Sequence, residues 1–350
     1  MRLTREDLEQ AVDDGILSEA QAGRLWEALA LRQRGRPRFD APHVAYYFGA
    51  LLVIAAMGWF MTEAWESLGG GGILVIAVVY ALCFVLAGRT LWQRQGLRVP
   101  GGLLYTMAVC MTPLAIYGLE RVTGLWPQGD PGAYEGFHVW VKGSWILMEA
   151  GTIVAGLVAL RYVRFPFLTA PVAFALWYMS MDLAPLLFGQ LELSWDERLW
   201  VSLWFGLAVL LLAYLIDRRT QEDFAFWLYL FGLLAFWGGL SLMDSDSELR
   251  KFLYFLINVG LMAVSLLLQR RVFIVFGALG VFGYIGHLAH RVFADSLLFP
   301  FALTLAGIGI IWLGIQFQRH ERAIEAAVQA RVPGRLRALA PVNRTRTGAR

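Results

Sequence analysis

Residues 199–219 read LWVSLWFGLAVLLLAYLIDRR. From Leu199 to Ile216 the only small polar side chain is Ser202, and the run then closes on Asp217, Arg218 and Arg219. A bilayer core is crossed by about 20 predominantly apolar residues in a helix, so this stretch has the length of one span with a basic end. Its composition recurs along almost the whole chain. Of 350 residues, 58% are hydrophobic and only 16% charged, against roughly a quarter charged in a soluble domain.

Working outward, ten such stretches appear, at 44–62, 71–90, 101–120, 144–161, 166–188, 199–217, 223–243, 249–269, 272–291 and 297–317. The short connections 161–166 and 269–272 leave open whether the helices on either side are separate or one long bent helix. The expected fold is an all-α, polytopic transmembrane helix bundle of about ten spans. Charge bias sets its orientation, because cytoplasmic loops carry the excess of Lys and Arg. Of the 30 basic residues, 24 fall in the termini and alternate loops, and only Arg121, Lys142, Arg198, Arg250, Lys251 and Arg291 fall on the other side. The split predicts both termini in the cytoplasm (N-in/C-in) and a bacterial cytoplasmic (inner) membrane as the location.

Three regions follow: residues 1–43, a transmembrane domain over 44–317, and a basic tail over 318–350. The first reads as a helical hairpin. Thr4 caps one helix, Gly15 ends it, and Ser18 with Gln21 forms a capping box that opens a second. Leu8, Val12, Ile16, Leu25 and Leu29 supply an apolar seam between them. Two such short helices bury too little surface to be stable alone, so the hairpin is expected to dock on the membrane face, a second copy or a protein partner. The tail carries eight arginines and is expected to meet anionic lipids. Nucleic acid is not expected as a partner, since the arginines are scattered over loops and not gathered on one face.

The opening DLEQAVDDGILSEAQAGRLWEAL, residues 7–29, is followed by YYFGALLVIAAMGWF, residues 46–60. This combination resembles a family of predicted bacterial multi-pass membrane proteins of unknown function that begin with a cytoplasmic helical hairpin. The resemblance rests mainly on the first 60 residues. It implies the membrane class and carries no catalytic residue, cofactor or substrate.

Chemistry in a bilayer is sought at ionisable side chains, which are costly there. Glu149 lies four residues past Trp145, about 6 Å along a helix. Asp182 and Asn258 each lie seven residues inside their spans, about 10 Å from the outer face by the same rise. His287 and His290 end the ninth span. All five fall in the predicted outer half, with no comparable acid or histidine in the inner half. Glu149, Thr152 and Gly156 share a helical face, as do Pro171, Ala175, Tyr178, Asp182 and Pro185. Lys251, Tyr254, Asn258 and Ser265 form a third polar stripe, and Gly277, Gly280, Gly283 and Gly286 recur every third residue beside the histidines.

One reading joins these groups in an outward-opening polar cavity between spans four, five, eight and nine. The other makes Asn258 ordinary interhelical glue and brings the acids and histidines to water at the interface. The pair His287 and His290 has metal-ligand spacing but no third ligand, so no metal or other cofactor is expected. The outer loop 121–143 could lie over such a cavity. Cys83 and Cys110 sit within apolar runs and read as small buried hydrophobes. No Walker A sequence, Gly-x-Ser-x-Gly elbow or His-Glu-x-x-His motif occurs, and the leading expectation is a non-enzymatic membrane protein with an envelope-assembly, sensing or scaffold role through its hairpin. The alternative is a transporter or channel for a small solute or ion, built on Glu149, Asp182, Asn258 and His287.

Overall fold

The computed structural model describes residues 5–33, 41–126, 144–188, 195–220, 222–243 and 247–293, with isolated positions between 301 and 312. Among them there is no strand. The hairpin is α1 (Arg5–Asp13) and α2 (Glu19–Gln33). Gly15 turns the chain at φ +71°, in the left-handed region that costs glycine least. Ser18 and Gln21 then bond reciprocally, the Ser18 amide donating to Oε1 of Gln21 at 3.0 Å and the Gln21 amide donating to Oγ of Ser18 at 3.3 Å. The expected seam is corrected by burial. Leu8 and Ala22 are buried, whereas Ile16 is 72% exposed and Leu25 and Trp26 are 40% and 36% exposed. Ile16 belongs to the turn after α1, so its side chain leaves the helical phase that would carry it into the seam.

The apolar helices follow as α3 (Ala41–Ser67), α4 (Gly69–Arg89), α5 (Arg98–Cys110), α6 (Thr112–Thr123), α7 (Ser144–Tyr162), α8 (Thr169–Phe188), α9 (Trp195–Arg219), α10 (Phe226–Leu242), α11 (Glu248–Leu268) and α12 (Arg271–Phe293). Helix therefore covers nine of the ten apolar stretches, and 297–317 lies largely outside the described residues. The third stretch is bent, because Pro113 at the start of α6 separates it from α5 at Met111, as a ring without an N–H does inside a helix. Five segments are long and apolar enough to cross a membrane: Gly69–Arg94, Arg98–Thr123, Trp145–Tyr162, Trp195–Arg219 and Arg271–Leu288. Val44–Trp59 and Phe226–Leu242 are shorter apolar helices.

Both short connections break the helix. Phe165 precedes Pro166 in extended conformation, as the proline ring requires of its predecessor. Gln269 closes α11 at φ 52°.

Two packing neighbourhoods result. In the first, α4 lies against α5 and α6, α7 against α5, α6 and α8, and α3 against α4 and α5. In the second, α9 pairs with α10, α11 with α12, and α10 also meets α8 and α12. Aromatic contacts at one end tie the two together. Trp92 meets Phe165 at 6.4 Å between ring centroids, Phe167 meets Trp227 at 5.2 Å, and Tyr47 also meets Phe167 at 5.6 Å. The turns bearing Arg94 and Arg98, Arg161 and Arg164, Arg218 and Arg219, and Arg270 and Arg271 are thus gathered at one end. Rings at membrane–water boundaries present an apolar body and a polar edge, which suits this position.

Candidate functional site

The sequence-predicted polar residues divide between the two neighbourhoods. Glu149 and Thr152 on α7 are both buried, and Thr152 donates to the Met148 carbonyl at 2.6 Å. Two contacts set the register of α7 on α8: Trp145 stacks on Tyr178 at 6.2 Å, and a Cβ at Gly156 would run into Val172. The helices run antiparallel, so Asp182, one turn beyond Tyr178, is level with the start of α7. Glu149 lies one turn beyond Trp145 in the other direction. The side chains of Asp182 and His290 lie outside the described residues, as does loop segment 127–143.

Asn258 belongs to the second neighbourhood and is fully buried. Its Oδ1 accepts from Trp237 Nε1 of α10 at 3.0 Å, and its Nδ2 donates to the Tyr254 carbonyl at 2.8 Å. A Cβ at Gly280 of α12 would overlap the Asn258 amide, and one at Gly277 would meet the Asn258 carbonyl and Met262. Small residues let membrane helices approach this closely. The remaining stripe on α11 is also engaged: Tyr254 shares a 3.0 Å hydrogen bond with Ser241 of α10, and Ser265 donates to the Arg270 carbonyl at 3.0 Å. A Cβ at Gly283 or Gly286, the half of the glycine series next to the histidines, would meet nothing within 4 Å. His287 is half-buried, with its Nε2 buried and without a hydrogen-bond partner. Among the described residues no group of three His, Cys, Asp or Glu is placed to hold a metal ion.

Asn258 therefore acts in helix packing, and the packing partners of α7 and of α11 and α12 separate Glu149 from Asn258 and His287. Two buried features escaped the sequence reading. One is Glu120, near the end of α6, only 3% exposed and with neither carboxylate oxygen hydrogen-bonded. At 100° per residue it lies about 40° around the helix from Ile116, the residue a Cβ at Gly151 of α7 would strike. Glu120 thus points to the α6–α7 seam, beside the cluster of Leu114, Tyr117 and Met148. Its position directly before Arg121 made it read as a loop boundary.

The second is an ionic knot at the basic end. Arg270, in the turn between α11 and α12, is buried and donates through Nε and Nη2 to both oxygens of Asp217, at 3.1 Å through Nε, and through Nη1 to Asp223. Its guanidinium also lies 5.5 Å from the centroid of the Tyr229 ring, whose hydroxyl reaches Asp217 at 3.4 Å. Burial disfavours the charge, but the hydrogen bonds that Arg270 donates to Asp217 and the fields of both aspartates outweigh it and push the Arg270 pKa above its ordinary value. The basic end of the helix set, expected from the charge bias to be the inner one, is therefore not without a buried acid. Asp217 went unread because it adjoins Arg218 and Arg219, while its true partner is 53 residues away.

The fold is that of an integral membrane protein. Its N-terminal part is similar to a family described as a predicted membrane protein, DUF2157, whose profile matches residues 9–118. The match runs beyond the first 60 residues that carried the sequence resemblance and reaches the end of the third apolar stretch. No curated protein and no solved structure shows significant similarity to the chain.

Proposed function

We propose that this is a non-enzymatic protein of the bacterial cytoplasmic membrane, crossing it about ten times with both termini in the cytoplasm, and that the hairpin of residues 1–43 is its docking element for a protein partner. The observation that carries this reading is the apolar surface left after α1 and α2 pair. Ile16, Leu25 and Trp26 each remain exposed on the hairpin, outside the stretches that a bilayer would cover. Partner surfaces are enriched in such aromatic and apolar anchors. The role is envelope assembly, sensing or scaffolding. The basic tail adds contact with anionic lipids.

The test is photo-crosslinking in cells from a reactive residue at position 25 of the full chain, with Trp26→Glu and Ile16→Glu as variants. A discrete crosslinked protein, lost in both variants while the membrane level of the chain is unchanged, supports docking. Crosslinks to lipid alone sink it. Deleting residues 1–36 is expected to abolish partner capture, and Asp182→Asn to leave it intact.

A second reading, movement of a small solute or ion, is favoured by one observation: the carboxyl of Glu120 is buried without a hydrogen-bond partner. An intramembrane acid of this kind is a default site for coupling. It keeps Glu149 and Asp182 at the same end, with Asn258 removed to helix packing. Uptake by proteoliposomes that persists unchanged in Glu120→Gln and Glu149→Gln would exclude it.

A further inference from the structure

The geometry points to a binding site for a diphosphate lipid headgroup at the turns 89–98 and 161–166. The first turn leaves α4 through a π-helical segment, Thr90–Arg94, and enters α5 at Arg98. The second joins α7 to α8. They are remote in sequence and meet through the Trp92–Phe165 ring contact, with Val99, Val163 and Phe165 in one buried cluster. Five arginines, Arg89, Arg94, Arg98, Arg161 and Arg164, are exposed around that hub. Neither turn contains an aspartate or glutamate, and among the described residues no carboxylate pairs with any of the five. The Arg98 guanidinium is 5.9 Å from the centre of the Trp92 ring, and Arg89 donates to Gln93 at 3.1 Å, so two of the five are oriented by neutral neighbours.

Arginine at the turn between α11 and α12 is treated differently. Arg270 is buried and neutralised by two aspartates. Five guanidinium groups flanking one hub, none paired with a carboxylate among the described residues, exceed what one phosphodiester can balance, and arginine's planar fork matches phosphate oxygens pairwise. The occupant is a lipid and not free phosphate because the hub continues into apolar surface. Tyr162 is 81% exposed, and Leu86 and Leu97 are also open. Those side chains lie where acyl chains run once the arginines hold the headgroup. The inference is independent of the hairpin reading.

Native mass spectrometry of the full chain in neutral detergent, with added diphosphatidylglycerol, tests it. The wild type is expected to retain this lipid in preference to phosphatidylcholine. The four-fold variant Arg94→Gln/Arg98→Gln/Arg161→Gln/Arg164→Gln should lose well over tenfold in affinity, since each basic residue near an anionic surface contributes about fivefold. Arg218→Gln/Arg219→Gln, at a separate turn, should change it little, and four Arg→Lys replacements, which keep the charge but lose the planar fork, should restore only part of it. If the four-fold glutamine variant fails to assemble, Arg94→Gln and Arg164→Gln singly should each weaken retention about fivefold. Equal retention of phosphatidylcholine, equal loss in the Arg218/Arg219 variant, or displacement of the lipid by millimolar inorganic phosphate would overturn the proposal.

Discussion

Asp217 and Glu120 are both acids near a helix end, both nearly inaccessible, and held in opposite ways. Asp217 accepts two hydrogen bonds from Arg270, stands within reach of the Tyr229 hydroxyl and shares its cation with Asp223. Glu120 has no hydrogen bond on either oxygen. A buried charge is tolerable when its partners replace water, while a buried polar group without partners costs its full desolvation. The contrast teaches that the C-terminal neighbourhood uses its buried polarity to join helices, whereas the α6–α7 seam keeps a carboxyl that contributes nothing evident to packing. A group that structure does not need is where function is to be sought.

The largest expected effect breaks the satisfied member. Arg270→Gln leaves Asp217 buried without its cation and should cost about 3–5 kcal/mol, the range for severing one partner of a buried pair. Thermal unfolding in a fixed detergent would register it as a large drop in midpoint. The double variant Asp217→Leu/Arg270→Met removes both charges and should recover most of that loss, because well-packed apolar replacements of buried pairs are often neutral or better. A double variant as unstable as the single one would show that the knot orders the turns by more than charge pairing.

Next in size is the packing around Asn258. Gly280→Ala forces a methyl into the Asn258 amide and should destabilise by about 1–3 kcal/mol. Gly283→Ala, where nothing lies within 4 Å, should leave the midpoint unchanged. Equal effects at the two glycines would mean that α12 does not approach α11 as described.

The opposite sign is expected at the unsatisfied acid. Glu120→Met removes two unpartnered oxygens from the interior and should stabilise by about 1–3 kcal/mol, the cost of leaving such a group unmade. Asp217→Met should do the reverse. If both substitutions destabilise, Glu120 has a structural role and the comparison collapses. If only Glu120→Met stabilises while activity or partner capture falls, the carboxyl is kept for function at the expense of stability.

What the sequence disclosed and what it withheld follow from the range of the forces involved. Apolar runs of bilayer length mark helices because a chain in lipid must satisfy its own backbone locally. The capping box at Ser18 and Gln21 was likewise legible, its partners being three residues apart. The break at Pro166 is a neighbour effect too, although the sequence alone left the helix continuity open. Asp217 and Arg270 are separated by 53 positions, and Arg270 was counted only as one more topological charge. Nothing local distinguishes it from Arg271, which is exposed. A cheap signal existed in the pattern LIDRR, an acid in the last turn of an otherwise apolar span. The grouping of Glu149 with Asn258 failed for the same reason: helical phase orients a side chain about its own axis but does not choose which helix it faces.

The smallest effect concerns the one region whose local rules predicted geometry correctly but burial incorrectly. The Ser18–Gln21 box is formed, yet Ile16 and Leu25 do not close the seam. Capping fixes where a helix starts without fixing what it packs against, so Ser18→Ala should cost about 1 kcal/mol and act only on α2. Hydrogen exchange on the full chain should show the amides of residues 19–24 exchanging about fivefold faster, with those of α9 to α12 unchanged. Binding of a partner to Ile16 and Trp26 should suppress that difference, because a docked hairpin gains stability from its partner. A cap defect as large in cells as in purified protein would mean that the exposed apolar surface of the hairpin is left uncovered there, and the docking role would lose its support.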